Sequence, residues 1–474
     1  MSCMHGRILL RADGRTCTRC EDSLPPALAV SILASVKHEP RVMTIAAMEV
    51  AAVTSADRIR REQVKSVVRV AAGNFLEMYD FMIYGYYAGA IGRAFFPKSS
   101  ESASLMLALG TFGAGFLMRP LGALTLGAYI DRHGRRSGLI LTLGLMAIGT
   151  LSIALAPPYA LIGVLAPSIV VGGRLIQGLS AGVELGGVSV YLSEIATAGR
   201  TGLYVSWQSA SQQLAVVFAA VIGVVLHRLL SNVQMDAWGW RVPLLIGCAI
   251  VPLVFVIRRS LSETEAYARR RHHPAMGDIV RSVAANWRIV LSGSMMVVLT
   301  TVAFYTITAY TPTFGRSALH LDEGDVLIVT LCGGVSNFVW LPLIGALSDR
   351  VGRRPLLIGF SLTMLLTAYP ALAWLAGDVS FTHLLIVELW LSFLYGGYNG
   401  AMIVHLTEIM PAHVRASGFS LAYSLATALF GGFTPLIATY LIAVTKNTAM
   451  PGVWLSCAAL VSLVAVLAPV GRER

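Results

Sequence analysis

Ionisable side chains lie inside long apolar stretches of this chain, where each needs a physical reason to be present. A charge at the centre of a bilayer costs on the order of 3 kcal/mol or more, so such residues usually face a polar cavity. Carboxylates in that position can carry protons, and arginines can pair with them or bind an anion. The residues concerned are Glu77, Asp80, Arg119, Arg174 and Glu184.

Helical spacing collects most of these residues on two faces, because residues three or four apart share one side of an α-helix. Asp80 and Arg174 lie toward the middle of their apolar stretches, so we predict an ion pair between two helices. Protonation of Asp80 would release the arginine and move a proton, and the alternative is a static pair that only locks the helices. Glu77 and Glu184 are further candidates for proton coupling. The faces are Glu77, Asp80, Phe81 and Tyr84 on one helix, and Arg174, Gln177, Ala181 and Glu184 on the other.

Arg119 has no acidic neighbour within a turn of its own helix. A guanidinium presents a planar fork of donors that matches a carboxylate with two parallel hydrogen bonds. We therefore predict that Arg119, together with Arg174, binds an anionic ligand. The alternative is that Arg119 reaches the membrane surface or caps the turn at Asp131, about 18 Å away along a helix.

Neutral polar side chains in other apolar stretches extend this predicted site. Each of them alone is more often a hydrogen bond between two helices. As a set they suit a polar ligand that carries several oxygen atoms. The predicted substrate-binding residues of this kind are Tyr84, Gln208, Gln212, Tyr305, Asn337, Tyr395, Tyr398 and Asn399.

The composition predicts that most of the chain lies in a membrane. Of 474 residues, 56% are hydrophobic and only 13% are charged, and the mean hydropathy is +0.70. A soluble protein carries about 25% charged residues. Apolar runs of about 20 residues or more predict membrane-spanning helices. We number twelve spans in chain order: 68–96, 103–130, 137–157, 162–194, 203–228, 241–258, 288–312, 325–348, 355–376, 383–409, 416–443 and 450–469.

Basic residues predict the orientation of these spans. The net charge of +11 comes from residues clustered in short loops, which indicates orientation in a membrane rather than nucleic-acid binding. Their distribution predicts that both termini and the loop 259–287 lie in the cytoplasm. The spacing of Cys17 and Cys20 is that of a metal or redox site, but a lone C-x-x-C is a weak signal. The expected domains are a disordered leader at 1–65, a six-helix bundle at 66–258, a linker at 259–287 and a second six-helix bundle at 288–470.

One charged loop pattern occurs twice at a constant offset. The pattern G-x-x-x-D-R-x-G-R-R begins at Gly127 and again at Gly345, each time between two predicted spans. Such a recurrence indicates a duplicated structure, and the loop glycine permits backbone angles that a side chain would forbid. A glutamate followed by a basic residue also recurs after spans four and ten. The predicted gating residues are Gly127, Asp131, Arg132, Arg135, Arg136, Asp349, Arg350, Arg353, Arg354, Glu194, Arg200, Glu408 and Arg415.

The repeated loop resembles the signature of the major facilitator superfamily of secondary transporters. Two segments, Gly73-Asn-Phe-Leu-Glu77-Met-Tyr-Asp80-Phe and Phe116-Leu-Met-Arg119-Pro-Leu-Gly, are similar to its metabolite:proton symporter branch. The segment Phe393-Leu-Tyr-Gly-Gly-Tyr-Asn-Gly-Ala-Met402 is similar to citrate–proton symporters. The resemblance covers residues 66–470. It implies an all-α membrane protein with twelve transmembrane helices in two six-helix bundles.

The function implied by this resemblance is proton-coupled import of citrate or a similar di- or tricarboxylate, including tricarballylate, by alternating access. Alternatives are a proton symporter for a dicarboxylate, shikimate, betaine or proline, and a membrane receptor that does not transport. The expected partners are a small carboxylate, protons and the lipid bilayer of a bacterial inner membrane, and the protein is expected to be monomeric.

We expect no cofactor, no metal site and no enzymatic activity. The pattern G-x-S-x-G at Gly178–Gly182 matches a hydrolase nucleophile, but it lies in an apolar helix instead of a strand-turn-helix. Glycines at 178, 182 and 186 instead predict a close contact between helices. The chain lacks a phosphate-binding loop, which makes ATP an unlikely energy source.

Overall fold

The computed structural model describes residues 74–468 apart from 97–99, 134, 183, 198, 260–276, 278–280, 282–284 and 412–414. Every regular element among the described residues is a helix. The predicted leader with Cys17 and Cys20, and nearly all of the predicted linker, lie outside the described residues. The domain bounds therefore stay predictions.

All twelve predicted spans are helical in the structure over most of their described residues. Several of them consist of two or three consecutive helices. In the first half they are 74–86 with Ala88–Phe95, Glu101–Leu117 with Arg119–His133, Arg135–Leu155, Leu165–Ala181 with Glu184–Ile195, Thr201–Leu229, and Arg241–Arg259. In the second half they are Trp287–Phe304 with Tyr305–Tyr310 and Thr311–Ser317, Glu323–Val351, Arg353–Gly377, Phe381–Ile409, Arg415–Ala426 with Thr427–Gly431 and Thr434–Thr445, and Met450–Leu467.

Among the described residues, 7 helices are long and apolar enough to cross a membrane by length and composition alone. Five of the predicted spans are interrupted by a turn or a wider helical segment, which apolar runs do not reveal. In span two, a turn at Met118 precedes Pro120, so Arg119 begins a new helix. Proline cannot donate a backbone hydrogen bond, which explains why the regular ladder breaks there.

Spans seven and eleven each contain a π-helical segment that is followed by a proline. Tyr305–Tyr310 is followed by Pro312, and Thr427–Gly431 is followed by Pro435. Because each proline removes one donor from the ladder, a wider turn accommodates the break. Segments of this kind are frequent at functional sites.

Close packing of spans two and four brings their arginines together. A Cβ atom added to Gly178 would lie 1.6 Å from the carbonyl oxygen of Gly115, and one added to Gly182 would lie 2.1 Å from that of Arg119. Only glycine permits backbones this close, which confirms the contact predicted for these two glycines. It also explains how Arg119 and Arg174 come to share a single pocket of side chains.

Candidate substrate and proton site

Arg119 forms an ion pair with Glu77, which lies on span one. Arg119 Nη2 is 3.0 Å from Glu77 Oε1, and the two side chains are only 1% and 4% exposed. The interpretation of Arg119 as an unpaired arginine was therefore wrong. Sequence distance hid the pairing, because the partner lies 42 residues away on another helix. Breaking such a buried pair from one side costs about 3–5 kcal/mol.

The predicted direct pair between Asp80 and Arg174 is also wrong in this conformation, because the two residues make no ion pair. Thr150 and Gln177 lie between them instead. Arg174 Nη1 donates to Gln177 Oε1 at 2.8 Å, Gln177 Nε2 donates to Thr150 Oγ1 at 2.8 Å, and Thr150 Oγ1 donates to Asp80 Oδ2 at 2.6 Å. All four side chains are buried. The carboxylate and the arginine thus remain connected, but through two neutral groups.

Aromatic rings surround both guanidinium groups. The guanidinium carbons of Arg119 and Arg174 lie 4.8 Å and 4.6 Å from the centroid of the same ring, Phe81. Each arginine also has a second ring nearby, because Arg119 lies 4.6 Å from Phe116 and Arg174 lies 4.5 Å from Tyr84. Cation–π contacts of this kind are worth about 2 kcal/mol when water is excluded. Rings therefore hold the two cations in place while leaving hydrogen-bond donors unused.

Those unused donors give the site capacity for an anion. Among the described residues, Arg119 Nε and Arg174 Nε and Nη2 have no hydrogen-bond partner although they are buried. A buried donor without a partner costs about 1–3 kcal/mol, and more when it is charged. A carboxylate ligand would satisfy two such donors at once.

The neutral residues of the predicted site form hydrogen bonds between helices. Asn74 of span one donates to the main chain of Gln208, and Gln212 donates to Asn74 at 3.2 Å. Asn399 of span ten donates to Ser209 of span five at 3.0 Å. These bonds connect the two halves through span five. Unused capacity remains at Gln208 Nε2 and Asn399 Oδ1, which are buried without a partner among the described residues.

Asn337 has both of its amide atoms engaged. Its Nδ2 donates to Gln213 of span five at 3.3 Å, and its Oδ1 accepts from Ser392 of span ten at 2.7 Å. The hydroxyl of Tyr395 accepts a hydrogen bond from Asn399 Nδ2 at 3.0 Å. The hydroxyl of Tyr398 donates to the carbonyl oxygen of Met296 on span seven. These contacts account for the burial of each group through packing between helices.

The tyrosines of spans one and seven lie next to the arginine pocket. Tyr84 stacks beneath Arg174 and donates to the carbonyl of Ala108 at 3.3 Å. The ring of Tyr305 lies 5.1 Å from that of Phe116. Span seven, from the second half, thus contacts the charged site of the first half through Tyr305. The side chain of Glu184 lies outside the described residues.

Sequence reasoning assigned no role to three groups that the structure brings into play. Thr150 and Gln177 form the link described above, and Glu388 lies buried on span ten with Thr311 as its partner. A single threonine in an apolar helix carries no signal of its own. Glu388 did carry one, because it occupies the repeat position that matches Arg174.

Asp349 of the second repeated loop joins the two halves. It accepts hydrogen bonds from the backbone N–H groups of Gly202 at 2.8 Å and Leu203 at 3.1 Å, at the start of span five. A carboxylate there caps the helix and meets the positive end of its dipole. Gly352 in the same loop has φ 95°, a conformation that favours glycine. In this copy of the loop, Asp349 therefore caps the start of span five.

Other predicted gating residues surround that cap. Arg353 pairs with Asp349 at 2.8 Å and with Glu408 at 3.1 Å, and Arg354 donates to the carbonyl of Leu467. Arg415 donates weakly to the main chain at 3.5 Å. In the matching places of the first half, Glu194 and Arg200 are exposed. The side chains of Gly127, Asp131, Arg132, Arg135 and Arg136 lie outside the described residues.

The opposite end of the bundle carries its own chain of charges. Arg93 at the end of span one pairs with Asp236 and with Glu101. Arg316 at the end of span seven lies 3.9 Å from Asp236 and 2.8 Å from Glu323. The two halves therefore touch at both ends, and the buried arginine pocket lies between these contacts.

The profile of the family described as sugar (and other) transporter matches residues 66–469. The chain belongs to this family. It is a multi-pass inner-membrane transporter of a small molecule rather than an enzyme.

Two similar proteins are named citrate-proton symporter. The one from Salmonella typhi is 57% identical over 400 residues, which cover 84% of this chain and 92% of that protein. The one from Klebsiella pneumoniae is 57% identical over 403 residues, covering 85% and 91%. An alpha-ketoglutarate permease from Escherichia coli (strain K12) is 32% identical over 408 residues, covering 84% and 91%. The predicted membership of the symporter branch is thereby confirmed.

Solved structures of a xylose transporter share the fold. The proton:xylose symporter, titled as a member of the major facilitator superfamily, matches with a TM-score of 0.70 at 18% identity, covering 85% of this chain and 94% of that chain. The partially occluded inward-open form of the Escherichia coli protein matches with a TM-score of 0.69 at 18% identity, covering 85% and 96%. The predicted major facilitator fold is confirmed.

Proposed function

We propose that this transporter imports citrate, or a similar di- or tricarboxylate, together with protons and by alternating access. The proposal rests on the two buried arginines of the first half and on the relatives named citrate-proton symporter. Both termini are assigned to the cytoplasm by the distribution of basic residues. A monomeric state stays a prediction.

The observation that carries the proposal is the unused donor capacity of Arg119 and Arg174. Their three buried N–H-bearing nitrogens without partners lie beside one phenylalanine ring. An anion that enters the membrane loses its water, so the site must supply positive charge. Arg174, which makes no direct ion pair with a described residue, supplies it, and the free donors of both guanidinium groups allow a polycarboxylate to engage both.

Proton coupling is assigned to Asp80 and its connection to Arg174. When the carboxyl group is ionised, Thr150 donates to it and the chain of hydrogen bonds reaches Arg174 through Gln177. Protonation of Asp80 turns that acceptor into a donor, which disturbs the orientation of Thr150 and Gln177. The Arg174 side chain then gains freedom to turn toward a bound anion.

Alternating access is supported by the contacts at both ends. Asp349 on span eight caps span five at the predicted cytoplasmic end, and Asp236 lies near Arg316 at the other. Each contact links one half to the other and can break without unfolding either bundle. A closed pocket between two such contacts fits an intermediate of a transport cycle.

The experiment is uptake of radiolabelled citrate into proteoliposomes that contain the purified transporter, with and without an imposed pH gradient. We expect accumulation above the external concentration only when the outside is more acidic. Liposomes that contain the Arg119→Gln variant provide the matched control. Equal citrate uptake with and without the transporter would refute the proposal.

A dicarboxylate such as 2-oxoglutarate is the second candidate substrate, because an alpha-ketoglutarate permease is among the similar proteins. Proline/betaine transporters are similar as well, at 30% identity, but a zwitterion carries a single carboxylate and can engage the free donors of only one of the two arginines. Competition of labelled citrate by unlabelled tricarballylate, 2-oxoglutarate and betaine separates these substrates. We expect the tricarboxylate to compete best and betaine not to compete.

A further inference from the structure

Glu388 is a buried carboxyl group in the second half that the proposed function does not use. Its side chain is 4% exposed and lies on span ten. Its Oε1 atom is 2.6 Å from Thr311 Oγ1, and its Oε2 atom has no hydrogen-bond partner among the described residues. It forms no ion pair with any described residue. An ionised carboxylate in such a place would carry a large desolvation cost.

The hydrogen bonds around Thr311 point to the protonated form. Thr311 Oγ1 lies 2.8 Å from the carbonyl oxygen of Ile307 and 3.1 Å from that of Thr306, in addition to Glu388. A hydroxyl group has one hydrogen, so it can donate to only one of these three oxygens. When it donates to Ile307, the short contact with Glu388 is satisfied by a hydrogen on the carboxyl group. A proton on Glu388 thus completes the bonding of both side chains.

The helices packed against span ten bring only neutral groups to this level. Span seven contributes Thr311, span eight contributes Asn337 through Ser392, and span five contributes Gln213 through Asn337. The phenol oxygen of Tyr310 accepts a hydrogen bond from the Thr439 hydroxyl. On spans five, seven, eight, nine and ten, and on the helices Glu184–Ile195 of span four and Arg415–Ala426 of span eleven that also contact span ten, the other described charged and histidine side chains lie toward helix ends: Glu194, His227, Arg228, Arg288, Arg316, Glu323, Asp325, Asp349, Arg350, Arg353, Arg354, His383, His405, Glu408 and Arg415.

Span seven connects this group to the arginine pocket. Thr311 directly follows the π segment Tyr305–Tyr310, whose first residue contacts Phe116 beside Arg119. At about 1.5 Å per residue, Tyr305 and Thr311 are roughly 9 Å apart along the helix. A movement of Tyr305 on ligand binding would therefore shift the partner of Glu388.

We propose that Glu388 is a second proton-carrying site, which takes up a proton from one side of the membrane and releases it on the other with each transported anion. This inference rests on the proposed function. Protonation removes one negative charge from the interior before a polycarboxylate arrives. Release requires span seven to move, so that water reaches Glu388 Oε2.

The test measures the number of protons per citrate in proteoliposomes, from the pH gradient that just balances a fixed citrate gradient. We expect the Glu388→Gln variant to retain citrate exchange and to couple one proton fewer than wild type. Asp325→Asn is the matched control, because it removes an exposed carboxylate at the start of span eight. An unchanged number of protons in Glu388→Gln would overturn the inference.

An infrared measurement keeps the test independent of transport. We expect wild type at neutral pH to have a C=O stretch of a protonated carboxylic acid that is lost in Glu388→Gln. In Thr311→Val this band should move to higher frequency, because the carboxyl group loses its hydrogen-bond partner. If the band is the same in all three proteins, Glu388 is not the protonated group. Wild type that retains the band but moves no protons with citrate would refute the proposed function and leave the protonation of Glu388 intact.

Discussion

Buried charges in the first half are surrounded by other charges, whereas the second half buries a carboxyl group with neutral neighbours. Glu77 pairs with Arg119, and Asp80 is connected to Arg174 through two hydrogen-bonded side chains. Glu388 has only the Thr311 hydroxyl. Although Glu388 and Arg174 occupy matching places in the repeat, duplication did not preserve their charge.

The predicted gating loops differ from the buried charges, because the loop pattern is the same in both halves. The D-R-x-G-R-R loop is present in both halves, and its second copy caps a helix of the first half. A hinge between two similar bundles would use the same kind of contact on each side, which is a reason for both halves to keep the sequence pattern. A bound anion is not symmetric, and its site can therefore draw positive charge from one half and proton-binding groups from both.

The largest expected effect follows from replacing Arg119. Arg119→Gln removes the guanidinium that forms the buried ion pair with Glu77, so we expect loss of transport and a fall of about 3–5 kcal/mol in the free energy of unfolding. The double variant with Glu77→Gln should recover stability but not citrate binding. Thermal unfolding and the citrate Kd measured on purified protein check both parts. Recovery of binding in the double variant would mean that Arg119 serves the fold alone.

The bidentate fork of Arg119 can be separated from its charge. Arg119→Lys retains the charge and loses the fork, so we expect citrate binding to weaken by about 1.5–3 kcal/mol, the range for a hydrogen bond to a charged group. Titration of the variant with citrate by calorimetry gives this number. Equal Kd values in wild type, Arg119→Lys and Arg119→Gln would refute the assignment of Arg119 to the ligand.

Asp80→Asn tests the first half as a proton site. Asparagine mimics the protonated carboxyl group, so citrate exchange should continue while accumulation driven by a pH gradient falls to the external concentration. Thr150→Val removes only the link toward Arg174 and should reduce accumulation partially. Uphill uptake by Asp80→Asn at the wild-type level would transfer the role to Glu77, Glu184 or Glu388.

A smaller effect is expected at the gate. Asp349→Asn retains the shape of the cap but loses its charge, which is worth about 0.5–2 kcal/mol at a helix start. The exchange rate should change by about tenfold while the citrate Kd stays near the wild-type value. Asp131→Asn is predicted to behave in the same way. Lower affinity with an unchanged exchange rate, in either variant, contradicts a gating role.

The smallest effects distinguish the neutral donors from one another. Asn337 has both amide atoms engaged between helices, so Asn337→Ala should lower stability by about 0.6 kcal/mol, typical of such bonds in membranes, and hardly change the citrate Kd. Asn399 retains a free Oδ1 atom, so Asn399→Ala should also weaken binding by about 0.5–1.5 kcal/mol. Identical citrate Kd values in the two variants would place neither residue at the ligand.

Local sequence determined which segments are helices, which charges of the first half are buried and which loop pattern recurs in both halves. The length of an apolar run, and the free-energy cost of a charge within it, depend on residues that are neighbours in sequence. Both can therefore be estimated from the sequence alone. The predicted contact at Gly178 and Gly182 belongs here as well, because small residues at four-residue spacing favour close helices in any membrane protein.

Only the tertiary structure decided which buried charged side chains pair with each other. Asp80 and Arg174 were expected to touch, but Thr150 from span three and Gln177 lie between them. Arg119 was expected to be alone, but span one carries Glu77 to within 3.0 Å of it. A hydrogen bond depends on ångström distances between helices that are remote in sequence. Those distances follow from how glycine contacts and π segments orient each helix, which hydrophobic periodicity does not encode.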